Sequence, residues 1–519
     1  MKQEIKFGTD GWRGIVGFDY TEEKIRIISS GISDYLWEKG NNLSQPESHG
    51  GREHRAAPND PATGFQDRER KQDLGDFPQE KAPKVVIGYD TRFLSDRFAK
   101  TAAAIFFQNG IRTCLSDNFV TTPALSKAVV DNNADLGLMI TASHNPYYYN
   151  GYKIKGPYGG SATMDIVKPI EDKVNVILNN KEAAKFLSNN VTPRDPQNSY
   201  AECDFLQNYK NYVLSLADTD IIRKNFNFPI VVDAMYGASQ GLCREIYSGL
   251  SSSEIIEIHG YKNASFGTIN PEPIGNNLNS AVKTLKEKKS MLAICLDGDG
   301  DRIGAIGENG NFVSSHHIFA ILLKYLVKYN KLSGKVVKTV STSSIIDRIC
   351  AKYGLELLTR PIGFKYISEE ILAGGVIMGG EESGGLWVKG YIPERDGIFM
   401  GLKLIEVLCR ENKSVNEVLK DIYNEFGYFV YRRADYEIDN TKKELLRDYL
   451  SKNVPDILKS EMNSKPVTVD GFKYILKDGS WIMIRPSGTE AVIRIYAESD
   501  TTEKLDILHN YGKRIIESV

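Results

Sequence analysis

A strand-like apolar run, residues 136–140, ends abruptly at Thr141-Ala142-Ser143-His144-Asn145-Pro146 and sets a serine in a turn. A serine hydroxyl is unreactive by itself, so a nucleophilic or phosphate-carrying role needs a base, a cation or a metal beside it. Taken alone the segment is also ordinary turn chemistry, since Ser and Asn bond local backbone and the residue before Pro leaves the helical region.

Farther along, Asp297-Gly298-Asp299-Gly300-Asp301-Arg302 presents three carboxylates at alternate positions, a hard-oxygen set for Mg²⁺ or a similar cation. Glu308 stands at the twelfth position of an EF-hand count from Asp297, but the sixth position is Arg302 where that loop needs Gly. The flanks, 291–296 and 303–306, also read as strands rather than helices. A metal-free Asp-Gly hairpin is disfavoured by the repulsion of adjacent carboxylates. An aspartyl-nucleophile phosphatase wants a small β-branched residue after Asp-x-Asp, and Asp299 is followed by Gly300-Asp301.

Two further loops are rich in groups that grip sugars and phosphates. Gly380-Glu381-Glu382-Ser383-Gly384-Gly385 offers acceptors for vicinal hydroxyls, or alternatively an acidic helix N-cap. Arg485-Pro486-Ser487-Gly488-Thr489-Glu490 supplies fixed charge, hydroxyls and accessible backbone N–H groups for a phosphate monoester, or a plain hairpin turn. Together the four loops form an inventory for phosphoryl transfer, whose transition state needs positioning and cations more than covalent machinery.

The elements that must position these loops alternate between strand and helix. Buried strands are expected at 84–90, 229–234 and 335–340, each opening a strand-helix region, with a helix over 95–109. These hint at three related α/β units with mixed sheets. Beyond residue 427 the alternating strands 428–438, 474–476 and 481–484 and a closing amphipathic helix over 502–518 predict a smaller α+β domain. The expected boundaries are 1–205, 206–309, 310–427 and 428–519. Residues 41–83, between a helix over 22–39 and the first buried strand, are polar and rich in Pro and Gly. They read as a flexible insertion, a tolerated loop or a partner-binding segment.

The 519 residues suffice for about three to four domains. A formal net charge of -2 argues against a general nucleic-acid or polyanion binder, so any basic site is local. No leader-like h-region opens the chain, and no apolar run is long enough for a membrane helix. Cys114, Cys203, Cys243, Cys295, Cys350 and Cys409 are isolated and read as reduced core residues. A cytoplasmic protein, monomer or homodimer, is the expectation.

The chain resembles the α-D-phosphohexomutases, the phosphoglucomutase and phosphomannomutase enzymes. The resemblance rests on Phe7-Gly8-Thr9-Asp10-Gly11-Trp12-Arg13-Gly14 and on the four loops above, all in the family's order. It implies four domains around a central cleft. It implies that Ser143 carries phosphate, that Mg²⁺ binds the phosphoserine with Asp297, Asp299 and Asp301, and that His144, Lys153, Arg13 and Arg302 complete the catalytic set. Glu381 and Ser383 would hold sugar hydroxyls. Arg485, Ser487, Gly488 and Thr489 would hold the non-reacting phosphate, and Lys365 would reach into the cleft.

Gly385 stands where many mannose- and glucosamine-type relatives carry His, so Lys389 becomes a candidate for that work. The Glu-Glu-Ser loop and Ile392-Pro393-Glu394-Arg395-Asp396-Gly397 point to glucose phosphates as substrate, with glucose 1,6-bisphosphate as intermediate and activator. A mannose- or glucosamine-phosphate mutase, and a sugar-phosphate-binding regulatory pseudoenzyme, are the alternatives.

Overall fold

The computed structural model describes residues 4–8, 11–43, 82–180, 182–183, 200–462, 464–488 and 491–518. Most of the expected insertion lies outside the described residues. Its first residues instead complete a helix, Glu22–Leu43, longer than expected.

Four sheets follow one another along the chain. The first comprises β1 (Trp12–Ile15), β2 (Lys84–Tyr89), β3 (Arg112–Ser116), β4 (Leu136–Ile140), β5 (Tyr149–Lys155) and β6 (Ala201–Cys203). The second holds β7 (Ile230–Asp233), β8 (Ile255–Ile258), β9 (Leu292–Leu296), β10 (Ile303–Gly307) and β11 (Phe312–Val313). The third holds β12 (Lys335–Thr339), β13 (Glu356–Arg360), β14 (Val376–Gly380) and β15 (Leu386–Val388).

One plan recurs in all three. The orders β5-β4-β2-β3, β10-β9-β7-β8 and β15-β14-β12-β13 are equivalent. In each, three strands run parallel and the fourth returns antiparallel beside the last of them. β4, β9 and β14 are buried along their whole length, as expected of apolar strands covered on both faces. The turn that follows each of them occupies the same place in its unit. Those turns are the serine loop, the Asp-rich loop and the Glu-Glu-Ser loop.

The fourth sheet is antiparallel: β16 (Val430–Glu437), β17 (Phe472–Ile475), β18 (Trp481–Pro486) and β19 (Val492–Ser499), in the order β16-β19-β18-β17. Strand alternation gives it two apolar faces. Ile482, Ile484, Ile493 and Ile495 pack under Leu505, Leu508 and Ile515 of the helix Thr502–Glu517. On the opposite face Trp481, Met483 and Tyr496 meet Val340 just beyond β12, which docks this domain on the third.

Two expectations need correction. A boundary at 309 would cut a hairpin, because β11 pairs with β10 and the second unit reaches at least Val313. The cysteines are not all isolated thiols. β3 and β6 pair in parallel with Ser116 opposite Cys203, which sets Cys114 and Cys203 at a Cα separation of 6.1 Å and joins them as a disulfide. Cys243, Cys295, Cys350 and Cys409 are buried and free.

His317 carries a pH prediction. At the start of the helix Ser315–Lys328 its Nδ1 accepts the Ser314 N–H at 3.1 Å, and its Nε2 lies 2.9 Å from the Tyr423 hydroxyl. Burial pushes its pKa down to about 4. The unfolded chain therefore takes up the proton first as pH falls, so this contribution is present above the unfolded pKa and is lost on acidification. Between the unfolded value and about pH 5 the loss is roughly 2 kcal/mol. The calorimetric melting temperature should fall over that interval, and His317→Gln should flatten the fall; an unchanged slope in the variant would refute the assignment.

Candidate active site

The turn after β4 is moulded from below by a buried arginine. Arg92 follows β2 and is 1 % exposed; its guanidinium donates to the carbonyls of Ser143 (2.6 Å), Asn145 (2.7 Å), Pro146 (2.9 Å) and Tyr149 (3.1 Å). Asp90, paired with Arg92 at 3.2 Å, accepts the Thr141 hydroxyl at 2.6 Å. These bonds hold Ser143 in a left-handed conformation, φ 53°, with its side chain buried. Such a conformation is costly for a non-glycine residue and persists only where the surroundings enforce it. Arg92 was not among the expected site residues. Its signal is Asp90-Thr91-Arg92 at the end of a buried strand, a place where a charge needs a purpose.

Ser143 Oγ donates to Asp297 Oδ2 at 2.8 Å and lies 3.3 Å from His144 Nδ1. Gly298 is required by this approach, because a Cβ there would stand 2.4 Å from the Ser143 carbonyl oxygen. Antiparallel pairing sets Lys153 opposite Met139. From there its Nζ reaches Asp299 Oδ2 at 2.9 Å and Asp301 Oδ2 at 3.1 Å. Serine, lysine and the three aspartates thus converge, although the loops are some 150 residues apart, as the Ser143–Asp297 separation of 154 shows.

Asp297, Asp299 and Asp301 are fully buried, and one oxygen from each lies within 4.8 Å of the others. Burial, then the charges of Asp301 and Asp299, push the Asp297 carboxyl well above its usual range. Burial acts the same way on Asp299, but Lys153 overcomes it and holds Asp299 below that range. Asp299 Oδ1 and Asp301 Oδ1 are buried with no hydrogen-bond donor. Hard oxygens so arranged fit a Mg²⁺ ion.

Cations ring this centre from several elements. Arg302, 8 % exposed, lies 3.9 Å from Asp297 and 3.8 Å from Asp301. Arg13 on β1 donates to Asn145 Oδ1. Burial, followed by Arg302, Arg13, Arg433 and Arg395, holds the His144 imidazole well below its ordinary pKa, so it is neutral. A neutral ring beside the hydroxyl accepts or donates according to tautomer.

The Glu-Glu-Ser loop joins two antiparallel strands, so the N-cap alternative fails. Its end is tied to the Asp-rich loop by Ile303 N–H donating to the Gly384 carbonyl at 3.1 Å. Glu381 Oε1 accepts the Gly363 N–H at 3.0 Å and Oε2 accepts Arg395 Nη1 at 3.1 Å. Glu382 faces Arg433 of the fourth domain at 3.7 Å. Ser383 lies partly exposed on the same turn.

Lys389 does not join this loop. It is exposed, and its N–H donates to Ile377 near the start of β14, at the opposite end of the hairpin from Glu381. The cation beside Glu381 is Arg395, which sequence proximity did not single out.

On the far side, Arg485 Nε donates to Asp470 Oδ1 at 2.8 Å, and Asp470 Oδ2 accepts the Ile362 N–H at 3.0 Å. This links the phosphate-type loop to the segment that carries Lys365. Lys365 approaches the Met164 sulfur at 3.8 Å and lines a cavity with Phe7, Gly8 and Gly11. Ser487 is buried and Gly488 exposed in the β18–β19 hairpin; Thr489 lies outside the described residues.

Comparison with known proteins agrees with this geometry. Models of the phosphoglucomutase/phosphomannomutase α/β/α domains I, II and III match residues 71–181, 204–310 and 314–426, and the model of the C-terminal domain matches 439–509. A phosphoglucosamine mutase from Methanococcus maripaludis is 32% identical over 430 residues, covering 81% of this chain and 90% of the relative. A phosphoglucomutase from Komagataeibacter xylinus is 28% identical, covering 96% of this chain and 88% of the relative. The crystal structure of a Thermus thermophilus protein assigned as a phosphomannomutase superposes with a TM-score of 0.79 at 27% identity, covering 100% of both chains. The described residues include no helix long and apolar enough to cross a membrane. With three repeated α/β units, a fourth domain and a serine set against an aspartate trio, the chain belongs to the α-D-phosphohexomutase family and is an isomerase of the phosphotransferase type.

Proposed function

We propose that the protein interconverts the 1- and 6-phosphates of glucose through a phosphorylated Ser143 and a glucose 1,6-bisphosphate intermediate. The observation that carries this reading is the contact of Ser143 Oγ with Asp297, flanked by Lys153 on Asp299 and Asp301. A bound Mg²⁺ would neutralise the phosphoserine oxygens and the carboxylates. As phosphate leaves Ser143 for the sugar, Lys153, held between Asp299 and Asp301, would assist proton transfer at the attacking sugar hydroxyl. Arg13 and Arg302 supply fixed positive charge to the phosphoryl oxygens. Glu381 and Ser383 read the sugar hydroxyls, and Arg485, Ser487, Gly488, Thr489 and Lys365 hold the phosphate that does not react. The bisphosphate turns over in the cleft and returns its other phosphate to Ser143.

Glucose is preferred because the loop reads Glu381-Glu382-Ser383 and carries Gly385 rather than a histidine. The glucosamine phosphate reading is supported by the similarity to the Methanococcus maripaludis phosphoglucosamine mutase. Rates with the 1-phosphates of glucose, mannose and glucosamine decide between them. Glucose should exceed each of the others by about tenfold or more, the scale that one or two differential hydrogen bonds provide; a preference of that size for either competitor overturns the choice of sugar.

A further inference from the structure

Arg395 sits in the segment between β15 and the helix Gly397–Glu411 and is 4 % exposed. Its two terminal nitrogens serve different loops. Nη2 donates to Asp301 Oδ2 at 2.9 Å and Nη1 to Glu381 Oε2 at 3.1 Å. One rigid guanidinium therefore bridges a carboxylate of the aspartate trio and the carboxylate of the Glu-Glu-Ser loop, with the Phe364 ring 5.7 Å away.

Its neighbours fix it from both sides. Glu394 pairs with Lys155 at 2.5 Å and accepts from the Ser126 hydroxyl at 3.2 Å. Asp396 caps the following helix by accepting the Phe399 N–H at 2.9 Å and also takes the Tyr209 hydroxyl at 2.7 Å. Gly397 N–H donates to the Gly300 carbonyl at 3.0 Å, so the backbone beside Arg395 is fastened to the Asp-rich loop as well. Gly385 opens the space it fills: a Cβ there would lie 2.5 Å from Arg395 Cδ and 3.2 Å from Glu381 Oε2.

We infer that Arg395 is a positioning residue that couples cation binding at the aspartate trio to the reading of sugar hydroxyls by Glu381. This rests on the proposed role of Glu381 but not on which hexose it reads. Asp301 Oδ2 is held by Lys153 and Arg395 together, which leaves Oδ1 for a cation. Arg395 sets the position of Glu381 and of Asp301 together, so a ligand that secures one carboxylate secures the geometry the other ligand uses, and each favours the other. Lysine cannot replace this function, because a single ammonium lacks the fork that reaches both carboxylates at fixed geometry.

The test is the coupling itself, measured by titration calorimetry on the full, dephosphorylated chain with Mn²⁺ as the metal probe and glucose 6-phosphate as the sugar. Each is titrated with and without the other, in the native protein, in Arg395→Lys and in Gly385→Ala. In the native protein each ligand should tighten the other by about fivefold or more, with the same factor in both orders as linkage requires. In Arg395→Lys the factor should fall to near one, and Gly385→Ala, which displaces the arginine while keeping its charge, should lower it too. A variant that weakens both ligands yet retains the native factor would make Arg395 merely structural and overturn the inference. Absence of coupling in the native protein does the same. If mannose 6-phosphate binds more tightly than glucose 6-phosphate and shows the coupling, the choice of sugar fails while the inference stands.

Discussion

Ser143→Ala should abolish mutase turnover, by at least about 10⁴-fold in kcat, the scale of losing a covalent nucleophile. The side chain is fully buried, and its Oγ rests 2.8 Å from Asp297 in a backbone conformation that Arg92 and Asp90 enforce. Nothing else among the described residues places a hydroxyl on the aspartate trio in that orientation, apart from Thr122, whose hydroxyl is already bonded to Asp299 on the side of Lys153. Intact mass gives an independent readout. The active native protein should carry one phosphate increment that maps to Ser143, and the variant none. Full activity of Ser143→Ala with hexose bisphosphate as activator would remove the covalent step from the mechanism.

Chelation of divalent cations should have an effect nearly as large. Three buried carboxylates share a small volume, and burial with mutual repulsion raises the Asp297 carboxyl far above its normal range. Lys153, Arg302 and Arg395 offset part of that charge, but Asp299 Oδ1 and Asp301 Oδ1 accept no hydrogen bond. A cation worth about 3–5 kcal/mol to the transition state corresponds to roughly 10²–10⁴-fold in rate. Activity should therefore fall by that factor in excess chelator and return with Mg²⁺. Mg²⁺ at about a hundred times its Kd should also stabilise the fold by about 2.7 kcal/mol, visible as a raised melting temperature. A protein that keeps its activity in chelator and melts at the same temperature with and without Mg²⁺ has no functional metal at Asp297, Asp299 and Asp301.

Much of this site was legible in the chain because its parts are local. Ser143 ends an apolar strand in a turn, the Asp-Gly alternation exposes carboxylates, and Arg485-Pro486-Ser487-Gly488 forms a hairpin end. Each signal spans only a few residues and follows from turn chemistry and strand periodicity. The recurrent units were legible for the same reason, as buried Val-rich strands with helices after them.

What failed to read was set by distance in space. Lys389 is four residues from Gly385, yet a β-strand climbs about 3.3 Å per residue, and the intervening strand carries it to the other end of the hairpin. Cys114 and Cys203 are 89 residues apart, and only the parallel pairing of β3 and β6 brings their Cα atoms to 6.1 Å. Neither Arg92 nor Arg395 shows its partners in the sequence; their burial follows from carbonyls and carboxylates contributed by segments far from them.

By itself, then, the sequence determined the chemical types: a serine in a turn, a hard-oxygen trio, acceptors for hydroxyls and donors for phosphate. The tertiary structure decided that they meet, because the same strand order in three successive units sets the turns after β4, β9 and β14 at equivalent places and interdomain contacts bring those places together. It also decided which cations hold them, since a charge is buried only where partners from other segments offset its desolvation, and those partners are a property of the fold.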